Sequence, residues 1–265
     1  MKLWTSYYQS LTKITQVVLA IAVMLIAHNQ PAWSEEWPDT FTQNNFRVQS
    51  QVSTEKILPA IQALPQLQEQ IAEDLGITVY DETIDVMIFS SSYNFRKYIR
   101  PRIPEAANRP ALFVKAPDRL HVFVTYSRSW ETDLRHEVTH ATLHGSMPYL
   151  PIWIDEGLAK YFEVPAELKG RNDEMLSNLK WRLRFRQPIR TRELEEMQDL
   201  TDMRTEHYRD SWAWIYFCLN HTQESRVLLQ NYLKEIQNEE VPGSFVDQML
   251  GLFPDLQQSA KNFYQ

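Results

Sequence analysis

The first part of the chain alternates between strand-like and helix-like spacing of its apolar residues. Apolar and polar residues alternate over 45–50 and over 83–90, and this period of two predicts strands. Over 53–76 the apolar residues recur every three or four positions instead. This spacing predicts a helix that ends at Gly76 and is kinked or divided by its two internal prolines.

Two further strands and a short helix complete the pattern before residue 127. Segment 91–99 opens with serines suited to capping a helix, and it predicts a short one. Segments 111–117 and 120–126 are rich in β-forming residues, and the sequence APDR between them has turn chemistry. We therefore expect these two strands to form a hairpin.

After residue 127 almost every segment has helical spacing, and prolines and glycines separate the segments. The pattern predicts an α+β fold, in which a small mixed β-sheet within 35–127 is followed by a mainly helical part, 128–265. We expect both parts to form one catalytic domain, 35–265. The candidate helices cover 130–144, 153–163, 172–186, 191–200, 206–220, 222–237 and 244–252.

The first 34 residues differ from the rest in their apolar content. An uncharged run, ITQVVLAIAVMLIA at 14–27, follows Lys2 and Lys13, and Ala-Trp-Ser at 32–34 has small residues where signal peptidase cuts. The run is short for a membrane-spanning helix, which needs about 20 residues. We expect a cleaved signal peptide or an uncleaved membrane anchor in 1–34. Either one places the domain outside the cytoplasm, in the periplasm or extracellular space or attached to a membrane.

Composition narrows the range of functions. Apolar residues make up 43% and charged residues 23% of the 265 residues, which is typical of a globular chain. The formal net charge of -7 argues against nucleic acid as the main partner, because phosphate binding requires a basic surface. Cys218 is the only cysteine, which excludes an intrachain disulfide and a zinc site built from thiolates alone. Nothing in the sequence indicates an oligomeric state.

The segment DLRHEVTHATLHG at 133–145 carries three histidines at intervals of four residues. Residues four apart share one face of a helix, so His136 and His140 can hold one metal ion between them. Glu137 projects about 100° further round the helix, where it can take a proton from a water molecule beside the metal. This is the spacing of an H-E-x-x-H site with two ligands and a general base.

A catalytic zinc site generally requires a third protein ligand. His144 is the next histidine on the same face, but it lies about 6 Å further along the axis than His140. A straight helix can hardly bring all three rings to one tetrahedral ion. The metzincin pattern H-E-x-x-H-x-x-G-x-x-H turns the chain at its glycine, and here Leu143 takes that place. We expect His144 to favour the helix end through the dipole, with Gly145 as the stop.

A carboxylate from a second helix is the other source of a third ligand. Glu156 stands near the start of the helix predicted after the turn-rich connector 145–151. It would complete a site of two histidines and one glutamate with an open fourth position. Asp155 points to another face and suits a partner of the helix dipole or of a ligand histidine. Glu163, two turns after Glu156, is either a solvated glutamate or a similar hydrogen-bond partner.

These residues carry a family resemblance. HEVTH followed by WIDEGLAKYFE at 153–163 resembles the gluzincin metallopeptidases, and W-x-x-E-G-x-A-x-Y-x-E is similar to their aminopeptidase-N-like branch. Only 15 residues separate His140 from Glu156, fewer than in aminopeptidase N, and this compact loop resembles small bacterial peptidase MA-like proteins. The resemblance implies a zincin-like fold in which His136, His140 and Glu156 bind zinc and Glu137 is the base.

The resemblance implies two further features. Segment 206–219 is similar to a downstream Y-x-x-S segment, so Tyr208, with His207 in reserve, would donate a hydrogen bond to the developing oxyanion. The apolar spacing there equally indicates a core stripe whose first member is Tyr208. The strand 120–126 resembles the strand that runs along the cleft in these folds. We expect its exposed edge to pair with an extended peptide.

The leading hypothesis is a zinc-dependent peptidase that hydrolyses bonds in a peptide or protein substrate through activated water. One alternative is a non-catalytic module in which the zinc site is structural or binds a partner. Another is a metal-free helical interaction domain. No G-x-M-E-N segment for holding a free amine precedes residue 136, so the resemblance does not extend to aminopeptidase activity.

Overall fold

The computed structural model describes residues 37–80, 82–117 and 119–265. The expected signal peptide or anchor in 1–34 lies outside these residues. None of the helices that the structure describes combines the length and the apolar character needed to cross a membrane. The chain divides into two compact units: the first comprises residues up to Gln62 and Asp81–Asp133, and the second comprises Ala63–Tyr80 and Leu134–Gln265.

The first unit is built on a five-stranded mixed sheet with the strand order β1-β2-β3-β5-β4. Strands β2, β3 and β5 run parallel, whereas β1 pairs antiparallel with β2 and β4 pairs antiparallel with β5. Every residue of the central strand β3 is buried, as is common for parallel strands. The strands are β1 (Asp39–Gln43), β2 (Phe46–Ser50), β3 (Ile84–Phe89), β4 (Ala111–Lys115) and β5 (Leu120–Thr125).

The predicted α+β class and the β4–β5 hairpin are confirmed, but the expectation of a free edge on β5 is wrong. Strand β5 pairs with β3 on one side and with β4 on the other, so both of its edges are hydrogen-bonded. The reason is the hairpin itself, which places β4 along the edge that a peptide would need. The sequence pattern also did not predict β1, which joins β2 through a tight turn with Asn44 at φ 52°.

Two helices belong to the first unit, α1 (Thr54–Gln62) and α3 (Ser92–Ile99). The side chain of Ser91 caps α3 by accepting a hydrogen bond from the Asn94 amide, as the serine-led sequence predicts. Helix α3 packs its aromatic residues against the sheet. The aromatic residues of this core are Trp37, Phe89, Phe95, Tyr98 and Phe123.

The helix predicted over 53–76 is divided, as its prolines indicated. It forms α1 and α2 (Leu64–Leu75), and Pro65 lies in the first turn of α2, where a missing amide hydrogen costs nothing. Gly76 ends α2 in the left-handed conformation, with φ 62°. The division also separates the units, since α1 belongs to the first and α2 to the second.

The second unit is almost wholly helical. Helix α4 begins in the first unit, and its residues from Leu134 onward belong to the second. Large aromatic side chains fill the core of this unit, among them the fully buried Trp153, Trp212 and Trp214. After α2, its helices are α4 (Trp130–Ser146), α5 (Ile152–Phe162), α6 (Asp173–Arg184), α7 (Arg192–Glu195), α8 (Thr205–Asn220), α9 (Gln223–Gln237), α10 (Phe245–Leu252) and α11 (Leu256–Tyr264).

Three details of this helical unit differ from the prediction. Helix α7 is a single turn, because Asp199 accepts a hydrogen bond from the Thr201 amide and so starts a separate 3₁₀ turn. Helix α4 runs through Gly145 to Ser146, whose carbonyl oxygen accepts a hydrogen bond from Gln237. Helix α11, which the apolar spacing did not predict, is capped by Asp255.

Helices α5 and α8 lie in close contact because Gly157 has no side chain. A Cβ at this position would lie 2.7 Å from the carbonyl oxygen of Ser211 and 2.7 Å from Cγ1 of Ile215. Gly157 directly follows Glu156, so the crossing point of the two helices lies beside the predicted third ligand.

A fully buried carboxylate, Asp210, fixes the first half of α8. It accepts hydrogen bonds from the guanidinium of Arg190 at 2.9 Å and from that of Arg209 at 2.8 Å. Arg182, on α6, lies 3.4 Å from the same carboxylate. A buried charge is tolerated when it is paired and hydrogen-bonded in this way.

Candidate metal centre

Helices α4 and α5 bring the three predicted ligands together. The Nε2 atoms of His136 and His140 lie 3.2 Å apart. Oε2 of Glu156 lies 3.6 Å from Nε2 of His136 and 3.8 Å from Nε2 of His140. Both His140 and Glu156 are buried, and His136 is nearly so. These three residues form one of the side-chain groups that are close enough to hold a metal ion.

The separations fit a tetrahedral zinc site. Ligand atoms about 2.1 Å from a tetrahedral ion lie about 3.4 Å from each other, a value within the range of the three measured distances. A point about 2.1 Å from all three atoms lies just off the plane of the triangle that they form, and Zn–N and Zn–O bonds have about that length. The donor set of two imidazoles and one carboxylate is also one that catalytic zinc sites use.

A carboxylate holds the far nitrogen of each ligand histidine. Nδ1 of His136 lies 3.0 Å from Oε2 of Glu163, and Nδ1 of His140 lies 2.9 Å from Oδ1 of Asp155. Lys160 donates to the same oxygen of Glu163 at 2.8 Å. Since a carboxylate accepts, each Nδ1 is the donor, and each Nε2 then presents a lone pair. Such carboxylate–histidine pairs are usual at metal sites, where they fix the ring and its tautomer.

Three acceptor atoms therefore face each other at this site. Oε2 of Glu156 is buried and has no hydrogen-bond partner among the described residues. With both Nδ1 atoms donating to carboxylates, neither Nε2 has a hydrogen to offer this oxygen. Buried acceptors that face each other without a donor are costly, and a cation or a proton between them removes that cost.

The electrostatics of the site favour positive charge. Burial lowers the pKa of His136, but the neighbouring carboxylates of Glu156 and Glu163 outweigh burial and raise the pKa above its usual value. Burial also lowers the pKa of His140, but the charges of Asp155 and Glu156 raise it to about 10. Burial raises the pKa of Asp155, and its interactions with His140 and His144 lower it far more. In the metal-free protein we therefore expect a proton on His140 near neutral pH.

We expect the metal-free protein to lose stability as the pH rises from about 6.5 to about 10. In this window the folded state keeps a proton on His140 that the unfolded chain has released, so the free energy of unfolding falls with rising pH. This stabilisation is complete below the pKa that His140 has in the unfolded chain. It is lost as the pH rises through the pKa that His140 has in the folded protein. Melting temperatures of chelator-treated protein across this range measure the effect. Zinc-loaded protein is the control, since its metal replaces the proton, and equal pH profiles of the two forms would contradict the prediction.

His144 lies outside the group formed by His136, His140 and Glu156. Its Nε2 is 2.8 Å from Oδ2 of Asp155, the carboxylate that also holds His140. His140, His144 and Asp155 are themselves close enough to form a second group that could hold a metal ion. In the structure, however, both histidines are hydrogen-bonded to the carboxylate of Asp155. The structure thus assigns His144 a partner in Asp155, which fixes the end of α4 against the start of α5.

The remaining predicted residues lie on α4 and α8. Glu137 is half-buried, and its charge helps to raise the pKa of both His136 and His140. Tyr208 is half-buried in the first turn of α8, and its role stays a prediction. Both ring nitrogens of His207 already have partners. Nδ1 accepts a hydrogen bond from the Arg204 amide at 3.1 Å, and Nε2 lies 3.1 Å from Oε1 of Glu193, so no ring N–H remains to donate to an oxyanion.

The sequence left the roles of Asp155 and Glu163 open, and it did not indicate the close helix contact at Gly157. The two carboxylates flank Glu156, one directly before it on α5 and one two turns after it at the end of that helix, so the signal was present in their spacing. What the spacing alone could not show is which histidine each one reaches. The contact at Gly157 depends on α8, a distant part of the chain, and a lone glycine in a helix does not reveal it.

Replacing Asp155 by asparagine should weaken zinc binding about 10- to 100-fold, because the amide cannot supply the charge that orients His140. Glu163→Gln should act in the same way through His136. Competition with a chelating dye measures the dissociation constant. Glu167→Gln is the matched control, since Glu167 is exposed just beyond α5. If all three variants bind zinc as tightly as the unaltered protein, the carboxylates do not support the ligands.

Comparison with known proteins adds no family to this geometry. No protein-family model matches the chain, and no curated protein matches its sequence. The case for a function therefore depends on the chemistry of the site itself.

Proposed function

We propose that this chain is a zinc-dependent peptidase, in which His136, His140 and Glu156 hold the metal and Glu137 is the general base. The observation that carries the proposal is the set of three buried acceptor atoms that face each other, with an unpartnered carboxylate oxygen among them. A purely structural helix pair has no reason to bury such a group, and a divalent cation satisfies all three atoms at once.

The histidines are held in the form that a metal requires. Each ring is fixed through Nδ1 by a carboxylate, either Asp155 on α5 or Glu163 directly after it, and Nε2 is directed towards Glu156. A zinc ion held by His136, His140 and Glu156 would have three protein ligands, and catalytic sites of this kind keep a further position for water or substrate. When bound, zinc supplies Lewis acidity that polarises a carbonyl group and makes water nucleophilic near neutral pH.

Glu137 is suited to move the proton in this reaction. It lies one residue after His136, and its charge acts on both ligand rings, yet it does not belong to the three residues whose donor atoms converge. Its carboxylate remains partly exposed, so a water molecule and a substrate can approach it. Glu137 would accept the proton of the attacking water and deliver it to the leaving amine.

Helix α8 supports a role for Tyr208 in binding the oxyanion. Tyr208, Ser211 and Ile215 are spaced three and four residues apart, so they share one face of the helix. Ser211 and Ile215 on this face contact Gly157, the neighbour of Glu156. Tyr208 therefore stands one turn before the residues that touch the ligand helix, a position from which its hydroxyl can donate a hydrogen bond.

The test is cleavage of a broad peptide library by the purified protein before and after metal removal. We expect cleavage that a chelator abolishes and stoichiometric zinc restores, and that is lost together with zinc in Glu156→Gln. Glu167→Gln is the control, because Glu167 is an exposed carboxylate on the turn after α5. This variant should keep both its cleavage activity and its bound zinc. Tight zinc binding without any cleavage would instead support a non-catalytic zinc module. Absence of metal after purification with zinc would support a helical interaction domain.

A further inference from the structure

Helix α6 presents two large aromatic rings to solvent. The exposed fraction of Trp181 is 60% and that of Phe185 is 59%, and their ring centroids are 4.7 Å apart. The two residues are four positions apart, so they form one continuous apolar area on the outer face of the helix. Leu179 and Leu183 are buried on the opposite face, so α6 packs against its unit in the normal way. The exposed rings are thus additional to the core.

Three cations surround these rings. Lys180, Arg184 and Arg186 are exposed, and within the described part of the chain none of them forms an ion pair or a side-chain hydrogen bond. We call Lys180, Trp181, Arg184, Phe185 and Arg186 the α6 patch. Other basic residues nearby are engaged, as Arg182 is with Asp210 and Gln187.

The charge of this region is opposite to that of the whole chain. Segment 175–192 contains six basic residues and no acidic one, although the formal net charge of the chain is -7. Such segregation of charge next to exposed aromatic rings indicates a partner that is both anionic at its surface and apolar beneath it.

We propose that the α6 patch docks the protein onto an anionic phospholipid surface. Tryptophan and phenylalanine side chains enter the boundary between headgroups and acyl chains, while lysine and arginine interact with the phosphates. The negative potential of an anionic membrane surface attracts each such cation. Stable attachment commonly takes two signals, and the apolar run at 14–27 would be the second one where it is retained as an anchor. The proposal does not depend on the zinc site.

The proposal can be tested with the full-length chain in lipid vesicles. Cys218 is buried, with 1% of its surface exposed, so a cysteine placed by Phe185→Cys can be labelled selectively with a small fluorophore. The vesicles contain lipids with brominated acyl chains, with or without phosphatidylglycerol. We expect quenching of the label in the anionic vesicles and little in the neutral ones. Tyr93→Cys on α3 is the control position, since Tyr93 is 69% exposed, and a label there should remain unquenched.

A matched pair of charge variants separates specific docking from general attraction. Changing Lys180, Arg184 and Arg186 to glutamine should remove most of the quenching. The same change at Arg96 and Lys97 of α3 and at Arg100, which directly follows this helix, alters the net charge equally and should leave the quenching intact. All six residues are exposed, and thermal melts confirm folding.

Three results would overturn the proposal: no quenching at position 185, equal quenching at position 93, or equal loss in both triple variants. The first is the result expected if the patch serves an acidic protein or a nucleic acid. Should the α6 variant fail to fold, high salt provides a second measure on the label at position 185, since screening should weaken its quenching in anionic vesicles.

Discussion

Replacing Glu137 by glutamine should abolish peptide hydrolysis and leave zinc bound. The amide has nearly the shape of the carboxylate, but it cannot accept the proton of the attacking water. Loss of a general base commonly lowers the rate about 100- to 10,000-fold. The zinc ligands His136, His140 and Glu156 are unchanged, so the metal content should stay at that of the unaltered protein. The measurement is turnover of a cleaved peptide, with zinc quantified by elemental analysis on the same samples.

Glu131→Gln is the control for this experiment, because Glu131 is an exposed glutamate in the first turn of the same helix. It should keep both activity and metal. Undiminished turnover in Glu137→Gln would sink the proposed mechanism. Loss of zinc in this variant would instead mean that Glu137 helps to hold the metal. The two outcomes therefore separate a wrong base from a wrong ligand set.

Replacing Gly157 by alanine should destabilise the helical unit. The new Cβ would lie 2.7 Å from the carbonyl oxygen of Ser211, a backbone atom that cannot move without shifting α8. Overpacking of this kind typically costs about 1–3 kcal/mol. Urea unfolding, followed by far-ultraviolet circular dichroism, measures the loss as a lower transition midpoint. Since α5 must also move, the variant should bind zinc more weakly through displacement of Glu156.

Gly251→Ala provides a control with the opposite expected sign. Gly251 lies within α10, and a Cβ there would meet no atom within 4 Å. Alanine is favoured over glycine in a helix interior by about 0.5–1 kcal/mol, so this variant should be as stable as the unaltered protein or more so. If Gly157→Ala behaved like Gly251→Ala, α5 and α8 would not be in the close contact described above.

Local features of this protein were largely predictable from its sequence. The period of two predicted strands β2 and β3, β-forming residues predicted β4 and β5, and serine or glycine residues marked helix ends such as Ser91 and Gly76. The approach of the candidate ligand residues to each other also follows from local spacing. His136 and His140 share a face through the helical period alone, and the short connector to Glu156 limits where the second helix can lie.

Features that depend on distant parts of the chain could not be predicted in this way. The order of the strands places β5 inside the sheet, and nothing in its own residues distinguishes an inner strand from an edge strand. Asp155 could have faced solvent or His140, and only the packing of α5 on α4 decides between them. The single turn of α7 likewise follows from the Asp199 cap, which competes with a helical pattern that continues past it.

The two carboxylate–histidine pairs also bear on the order in which this protein folds and acquires its metal. Zinc fingers need their ion in order to fold, because their ligands have no other partners. Here Asp155 and Glu163 already hold the histidine rings, and protons can neutralise the acceptors that face each other. The chain can therefore reach its folded state before any metal is bound. If zinc is the metal, as we propose, its insertion would be an exchange of protons for zinc, and the outcome would depend on the acidity and the zinc supply of the compartment.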